Sequence, residues 1–165
     1  MKSYNIAIVG ATGLVGTTLL KIIEAYGINV NDLKLFASEK SKGKTVTFKN
    51  KAYVLDVLKE GCFKDIDYAL FVAGGAISQA YALKAVSDGA VVIDNSSVFR
   101  MTKDVPLVVP EVNMSDAYNK RLIANPNCST IQCVLPLKVL DTHYKIKSIE
   151  YNTYQAVSGA GIKGL

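Results

Sequence analysis

Short apolar runs alternate with helical patterns along the first part of the chain. The runs predict buried parallel strands, because they lack the polar alternation that marks a strand with one solvated face. Between residues 14 and 26 apolar side chains recur at helical spacing, and Gly27 is placed to end that helix. Strands and helices alternating in this order predict an α/β fold with a doubly wound parallel sheet.

The predicted elements can be given by their residues. The buried strands cover 4–10, 33–37, 67–73 and 91–94, and a second helix covers 76–88. Two short runs with polar flanks predict a hairpin formed by 45–48 and 52–55. The apolar face predicted for the first helix consists of Val15, Leu19, Ile22, Ile23 and Tyr26.

The pattern changes after Asp94. Residues 95–127 hold three of the four prolines and predict loops with several short strands. A helix is predicted from 128 to 140, with Pro136 at or near a bend. Partial alternation over 146–157 predicts a long strand. Because a strand at the end of a domain needs partners, we expect the chain to be truncated before a second sheet domain.

Three glycines fall at the first predicted strand-to-helix junction. Gly10 allows a tight turn, Gly13 lets the backbone approach a pyrophosphate, and Gly16 lets the helix pack against the strand. The N-terminus of that helix offers N–H groups and a partial positive charge to phosphate oxygens. The spacing is a variant of the dinucleotide fingerprint and predicts nucleotide binding. The alternative, an ordinary glycine-rich turn, does not explain where all three glycines fall.

Composition and charge exclude several classes of protein. Half of the 165 residues are hydrophobic and 20% are charged, which is typical of a globular domain rather than a disordered chain. The net charge of +5 is spread out along the chain and fits anionic small molecules, so no nucleic-acid partner is predicted. No apolar run approaches 18 residues, so no membrane partner is predicted either. The three cysteines include no C-x-x-C pair, which indicates a reducing cytoplasm rather than a disulfide framework. The chain has a single histidine and no metal-ligand spacing, so no metal site is predicted.

The end of the second predicted strand bears on the choice of cofactor. An acidic residue there favours the free 2′-hydroxyl of NAD, but this loop offers hydroxyls and lysines, among them Ser38, Lys40 and Ser41. Glu39 is its one acid. We therefore expect NADP(H) rather than NAD(H); the alternative is a solvated basic loop. The next strand is followed by Ala73-Gly74-Gly75. These glycines would leave room for the cofactor to pass; the alternative is that they only form a turn.

A candidate nucleophile precedes the last helix. Cys128 falls at its predicted start, where the helix dipole and unpaired N–H groups favour a thiolate that can attack a carbonyl. The same N–H groups, with the Asn127 amide, could hold the oxyanion that develops. The alternative is a small buried apolar cysteine. Cys133 is expected in the core and His143 on the surface, while Cys62 has no catalytic context.

Six motifs in order resemble the aspartate-semialdehyde dehydrogenase family over the whole chain. They are GATGLVG at 10–16, ASEKSKGK at 37–44, VVIDNSSVFR at 91–100, PLVVPEVN at 106–113, NPNCSTIQ at 125–132 and TYQAVSGAG at 153–161. The resemblance implies a Rossmann-type NADP domain, expected at 1–127, and an α+β catalytic and dimerisation domain that begins at 128–165. It also implies reversible NADPH-dependent reduction of L-aspartyl-4-phosphate to L-aspartate-4-semialdehyde with release of phosphate. That step serves lysine, diaminopimelate, methionine and threonine synthesis.

The resemblance also implies roles for residues that match. Cys128 is the nucleophile that forms a thioester, Gln155 orients the substrate, and Arg100, with Asn95 beside it, binds the substrate phosphate. The remaining matches bind cofactor: Thr12, Gly13, Leu14 and Val15 the pyrophosphate, Lys40 and Ser41 the 2′-phosphate, Ser158 and Gly159 the nicotinamide side. Lys40 stands where many members have arginine, which loses a bidentate fork.

The family's catalytic histidine lies well downstream of the cysteine, beyond this sequence. We therefore expect these 165 residues to bind NADP(H) with little or no turnover, and the full-length protein to be a homodimer or homotetramer. Two alternatives stay open. One is an enzyme similar to N-acetyl-glutamyl-phosphate reductase, which shares the fold, the cofactor and a cysteine. The other is a non-catalytic NADP-binding module in which Cys128 is structural.

Overall fold

A computed structural model describes residues 2–154 and 156–157 of the chain. Its centre is a seven-stranded sheet with the order β3-β4-β2-β1-β5-β6-β7. All neighbouring strands are parallel except β3 and β4, which form an antiparallel hairpin at one edge. The strands are β1 (Tyr4–Val9), β2 (Val30–Phe36), β3 (Thr45–Phe48), β4 (Lys51–Asp56), β5 (Tyr68–Phe71), β6 (Val91–Asp94) and β7 (Leu122–Ala124). The doubly wound parallel sheet and the hairpin that the sequence predicts are confirmed.

Four α-helices and two short 3-10 turns accompany the sheet in the described part of the chain. The helices are α1 (Leu14–Ala25), α2 (Gly75–Ser87), α3 (Pro110–Asn113) and α4 (Cys128–Tyr144), and the 3-10 turns are Glu39–Ser41 and Met114–Ala117. β2 lies beside β1 on one side, and β5 lies beside β1 on the other side. The strand order therefore reverses between β1 and β5, which is where such folds bind ligands.

The core has two layers because the sheet is buried on both faces. Alternate residues of β1 point to opposite faces, so Ala7 and Val9 join one cluster, whereas Ile6 and Ile8 join the other. The first cluster includes α2 and four phenylalanine rings; among its buried members are Phe36, Phe63, Phe71, Phe99, Ala82, Ala85 and Val92. The second cluster includes α1; among its buried members are Leu20, Ile23, Leu33, Leu35, Phe48 and Leu55. Burial of both faces explains why the strands read as continuous apolar runs.

The buried face of α1 agrees with the predicted one at Leu19 and Ile23, which pack in the core, and differs from it at the other three positions. Gly16, Leu20 and Ile23 are buried, whereas Val15, Ile22 and Tyr26 of the predicted face are 46%, 44% and 82% exposed. An added Cβ on Gly16 would lie 2.2 Å from the carbonyl oxygen of Gly10. This close backbone contact sets the rotation of the helix. The predicted face was derived from apolar side chains alone, so it gave no weight to a buried glycine.

The C-terminal part of the chain differs most from the predictions. The last helix begins at Cys128 as predicted and runs on to Tyr144 with Pro136 inside it, but it has no buried residue. Cys133 is half-buried rather than in the core. Residues 146–154 form no strand, because none of the described strands lies beside them to accept the hydrogen bonds of an extended backbone.

Two other predictions for this part of the chain have different outcomes. Residues 95–127 contain a single strand, β7, and an isolated bridge from Leu107 to Ala124, in place of several short strands. The division of the chain into 1–127 and 128–165 stays a prediction. No helix within 2–154 combines the length and the hydropathy needed to cross a membrane.

Replacing Gly16 by alanine is expected to lower the free energy of unfolding by about 3 kcal/mol, since the new methyl group would overlap backbone atoms of Gly10 and Ala11. Gly13→Ala is the matched control: its Cβ would meet the same carbonyl oxygen at 3.4 Å, and Gly13 has an unstrained extended backbone. Urea denaturation followed by circular dichroism measures both variants. Equal stability of the two would show that close packing does not set the position of α1.

Candidate functional site

The predicted site residues follow strands that end at one edge of the sheet. Backbone hydrogen bonds join the neighbouring strand ends in sequence. They run from Gly10 N to Phe36 O (2.9 Å), Val72 N to Val9 O (2.9 Å), Asn95 N to Phe71 O (2.9 Å) and Asn125 N to Asp94 O (2.8 Å). The glycine turn, the Ala73-Gly74 turn, Asn95 and the start of α4 therefore lie along this single edge. Three strand spacings, about 14 Å, separate β1 from β7.

A cleft of about 320 Å³ opens at this edge between the ends of β1, β2 and β5. Five of the predicted cofactor residues line it, together with apolar side chains on both sides; the five are Gly10, Thr12, Gly13, Ser38 and Ala73. Phe36, Leu58 and Ile77 are among the apolar ones. An apolar cleft with a few polar groups at the switch point of a parallel sheet suits a nucleotide.

The glycine turn leaves space that a side chain would fill. Gly10 has a φ of 98°, and a Cβ there would lie 2.9 Å from the backbone of Ala73. Gly13 is the N-cap of α1 and makes no side-chain cap hydrogen bond, so the first-turn N–H groups of the helix are available to an anion. The side chains of Leu14 and Val15 in this first turn are exposed. These features fit a dinucleotide pyrophosphate.

The loop after β2 holds the predicted 2′-phosphate residues. Ser38 precedes the 3-10 turn Glu39–Ser41, which a 2.8 Å hydrogen bond from Ser41 N to Ser38 O closes. Lys40 is exposed on this turn, and Ser41 is half-buried. The loop is attached to β4, because Gly43 N donates to Leu55 O and Leu55 N donates to Lys44 O. The turn therefore has a fixed place beside the cleft.

Sequence reasoning missed Asp56, the acid that β4 places beside the end of β2. It lies opposite Phe36 in the parallel register. Its carboxylate accepts hydrogen bonds from Val57 N at 2.8 Å and from Lys59 Nζ at 3.2 Å. The Val57 N–H, and after it Lys59, lower the pKa of Asp56. These partners keep the carboxylate charged and engaged on β4.

A second missed residue is Asp94, a fully buried carboxylate at the end of β6. Ser78 Oγ of α2 donates to it at 2.5 Å and Ser96 Oγ at 2.6 Å. Ser96 Oγ in turn accepts from Val98 N at 3.2 Å. These bonds join α2 to the loop that carries Asn95. An acid at the end of an apolar strand was the only signal for this unit in the sequence.

Asn95 and Arg100, predicted to act together, are brought together and are joined to the end of β7. Arg100 Nη2 donates to Asn95 O at 3.1 Å, and Arg100 Nε donates to Asn125 O at 2.9 Å. Asn125 Nδ2 donates to Asn95 Oδ1 at 2.6 Å. Asn125 was not foreseen as part of this group. Two of the five guanidinium N–H groups thus bind backbone carbonyls, which fixes the plane of the side chain.

Cys128 is exposed at the first position of α4. The preceding Asn127 caps the helix, since its Oδ1 accepts from Thr130 N at 2.7 Å. A capped helix start keeps the backbone around the thiol in place. Exposure argues against the alternative of a small apolar core cysteine. Gln155, Ser158 and Gly159, the other predicted residues of this region, lie outside the described residues.

Comparisons with known proteins fit this geometry. A family profile described as "Semialdehyde dehydrogenase, NAD binding domain" matches residues 5–120. The chain belongs to the semialdehyde dehydrogenase family. Its match to that profile begins in β1 and extends beyond the Met114–Ala117 turn. The cleft and the glycine turn therefore belong to the dinucleotide-binding domain of this family.

Relatives with names are similar to this chain over nearly its whole length. It is 55% identical over 166 residues to an aspartate-semialdehyde dehydrogenase of Aquifex aeolicus, covering 98% of this chain and 49% of that protein. The enzyme of the same name from Campylobacter jejuni is 52% identical over 169 residues, with 99% and 49% covered. The chain thus spans about half the length of the curated relatives it matches.

Solved structures agree with the fold. The crystal structure of aspartate semialdehyde dehydrogenase II from Vibrio cholerae superposes with a TM-score of 0.93 at 45% identity, covering 99% of this chain and 50% of that one. The structure of the same Vibrio cholerae enzyme complexed with ASA gives a TM-score of 0.94 at 44% identity. The Rossmann-type architecture of this chain is therefore confirmed.

Iodoacetamide is expected to alkylate Cys128 more than about tenfold faster than Cys62 in the native chain. Burial, the largest cause, raises the pKa of the Cys62 thiol, so less of it is the reactive thiolate, whereas Cys128 is exposed at a helix start. Mass spectrometry of the cysteine peptides at successive times measures both rates, and denaturation in urea is the control that should bring them together. Equal native rates would contradict the assigned environments.

Proposed function

We propose that this chain supplies the NADP-binding half and the reactive thiol of an aspartate-semialdehyde dehydrogenase. The observation that carries the proposal is the exposed Cys128 at the start of α4, on the same sheet edge as the glycine-lined cleft. The names of the relatives from Aquifex aeolicus and Campylobacter jejuni support the choice of substrate.

The proposed reaction assigns a task to each part of this edge. The Cys128 thiolate attacks the carbonyl carbon of L-aspartyl-4-phosphate, the C–O bond to phosphate breaks, and inorganic phosphate leaves a thioester on the sulfur. Backbone N–H groups at the start of α4 and the Asn127 amide stabilise the oxyanion of that addition. NADPH, when bound, would supply the hydride that adds to the thioester carbon; the C–S bond then breaks, which releases L-aspartate-4-semialdehyde and returns the Cys128 thiolate. Gln155 orients the substrate at the thiol.

Arg100 and Asn95 are assigned to the substrate phosphate. Nε and one N–H of Nη2 bind backbone carbonyls, and the remaining guanidinium N–H groups match the oxygens of a phosphate dianion. This arrangement lies at the end of β6, next to the strand that leads to Cys128. The leaving phosphate therefore has a cationic partner close to the thioester.

The cofactor residues are assigned along the cleft. The turn formed by Gly10, Thr12, Gly13, Leu14, Val15 and Gly16 binds the pyrophosphate, and Ala73 and Gly74 border its path. Ser38, Lys40 and Ser41 bind the 2′-phosphate, and Ser158 and Gly159 contact the nicotinamide side. The engagement of Asp56 by Val57 N and Lys59 supports NADP(H) over NAD(H), because it holds the nearby acid on β4. We place the full-length enzyme in the cytoplasm as a homodimer or homotetramer.

A chimaera tests the proposed activity, with this chain in place of the matching half of the Aquifex aeolicus relative. We expect phosphate-dependent reduction of NADP⁺ by L-aspartate-4-semialdehyde, and Cys128→Ser is expected to lose about a thousandfold or more because a hydroxyl cannot replace the thiolate. The absorbance of NADPH measures the rate. Cys133→Ser, a half-buried position of the same helix, is the matched control and should retain activity.

Two outcomes of that assay would contradict the proposal. Turnover with N-acetyl-glutamate semialdehyde in place of the aspartate compound would favour the acetyl-glutamyl enzyme. A folded chimaera that binds NADPH and turns over neither compound would favour a non-catalytic binding module. The 165-residue chain alone is expected to bind NADPH with little or no turnover.

Lys40→Ala is expected to weaken NADPH binding by about tenfold and to leave NADH binding unchanged, since only NADPH carries the 2′-phosphate that the ammonium would meet. Isothermal titration of the 165-residue chain measures both affinities. Lys51→Ala is the matched control from the same lysine cluster, because the Lys51 ammonium lies 5.2 Å from the centre of the Tyr53 ring. Equal affinity of the unaltered chain for NADPH and NADH would refute the assignment.

A further inference from the structure

The ends of β6 and β7 are connected through two asparagine side chains. Asn125 Nδ2 donates to Asn95 Oδ1 at 2.6 Å, and both side chains are half-buried. The backbone of Asn125 is held on both sides, because its N–H donates to Asp94 O at 2.8 Å and its carbonyl accepts from Arg100 Nε at 2.9 Å. We name this side-chain contact the asparagine pair.

The surroundings of Asn125 determine which way its amide points. Its Nδ2 lies 2.6 Å from Asn95 Oδ1 and 3.3 Å from Pro126 O, so both of its N–H groups face acceptors. Turning this amide over would place Oδ1 against those two oxygens, with no hydrogen between them. Turning over both amides would restore a hydrogen bond between the two side chains, but it would leave Oδ1 of Asn125 facing Pro126 O at 3.3 Å. The contact with Pro126 O therefore decides that the donor of Asn125 faces Asn95.

This arrangement also fixes the polarity of Asn95. A primary amide has an acceptor on one side and two donors on the other. Because Oδ1 of Asn95 accepts from Asn125, its Nδ2 is the end left for a ligand, and no hydrogen bond within the described residues uses it. Arg100 Nη2 donates to the backbone carbonyl of the same Asn95 at 3.1 Å. The amide donors of Asn95 and the guanidinium thus belong to one small group at the edge of the sheet.

We propose that Asn125 is a positioning residue, which holds the Asn95 amide with its NH₂ group towards the anion that Arg100 binds. The inference rests on the proposed function, in which Asn95 and Arg100 bind the substrate phosphate. The inference adds that binding of the anion depends on Asn125, which itself contacts no substrate. Without the asparagine pair, the Asn95 amide can present its oxygen, which repels a phosphate oxygen.

Two substitutions change the orientation of the Asn95 amide; the first leaves the charge unchanged, and the second also adds a negative charge. Asn125→Ala removes the donor and leaves Asn95 able to rotate, with no change in charge. Asn125→Asp puts an acceptor in place of the donor, so Asn95 is expected to turn its NH₂ group towards residue 125 and its oxygen towards the anion. Asn31→Asp is the matched control, since Asn31 Nδ2 donates to Asn5 Oδ1 at 2.8 Å in a similar pair near the other ends of the strands.

The probe is inorganic phosphate, titrated into the ¹⁵N-labelled 165-residue chain. The Asn95 side-chain NH₂ and the Arg100 Nε–H resonances report binding, and the affinity for NADPH is measured separately. We expect phosphate affinity to fall about threefold in Asn125→Ala and about tenfold or more in Asn125→Asp, and to stay unchanged in Asn31→Asp. NADPH affinity is expected to stay within about twofold throughout, because the pyrophosphate turn lies at β1.

The outcomes distinguish this inference from the function on which it rests. If phosphate does not shift the Arg100 and Asn95 resonances of the unaltered chain, the proposed anion site is wrong and the positioning role falls with it. If phosphate binds the unaltered chain and Asn125→Ala equally well, only the positioning role is wrong. A parallel loss of NADPH binding would also overturn it, because Asn125 would then support the fold as a whole.

Discussion

The fold depends on a close backbone contact at the start of α1. The helix approaches β1 so closely at Gly16 that no side chain fits between it and the Gly10 carbonyl, and Gly10 in turn leaves no space against Ala73 at the end of β5. One turn therefore connects the helix, β1 and β5, which are the elements on either side of the point where the strand order reverses. At Gly10 and Gly16 these elements approach through backbone atoms, so no side chain fills the turn and its amide groups stay accessible.

Farther along the same edge, polar contacts take over from close packing. Asp94 connects α2 to the loop after β6 through Ser78 and Ser96. Arg100 and Asn125 then connect that loop to the end of β7. A buried carboxylate needs such hydroxyl partners because it has lost its hydration. The edge thus has an apolar, glycine-rich end for the dinucleotide and a polar end that leads to the thiol.

The sequence predicts features that depend on neighbouring residues in the chain. Strand runs, the glycine turn and the start of α4 at Cys128 are signals of a few residues each, and the structure places them as predicted. The rotation of α1 was predicted only in part: Leu19 and Ile23 face the core as predicted. Val15, Ile22 and Tyr26 do not, because the close contact at Gly16 turns its own side of the helix inwards. The alternation of 146–157 was also misleading, since a strand needs a neighbour that local sequence does not reveal. Hydrogen bonds such as Ser78 to Asp94, or Asn125 to Asn95, join residues 16 and 30 apart, and the spacing of residues contains no sign of them.

The two carbonyl contacts of Arg100 have a consequence for the thermodynamics of anion binding. A long flexible side chain usually loses rotamer entropy when a ligand immobilises it, at a cost of about 0.5–1.5 kcal/mol. Here Asn95 O and Asn125 O already restrain the guanidinium through Nη2 and Nε. Folding has therefore met that entropic cost before any ligand arrives. In the proposed phosphate site, a dianion would gain the charge-assisted hydrogen bonds of the other N–H groups with little further ordering of the side chain.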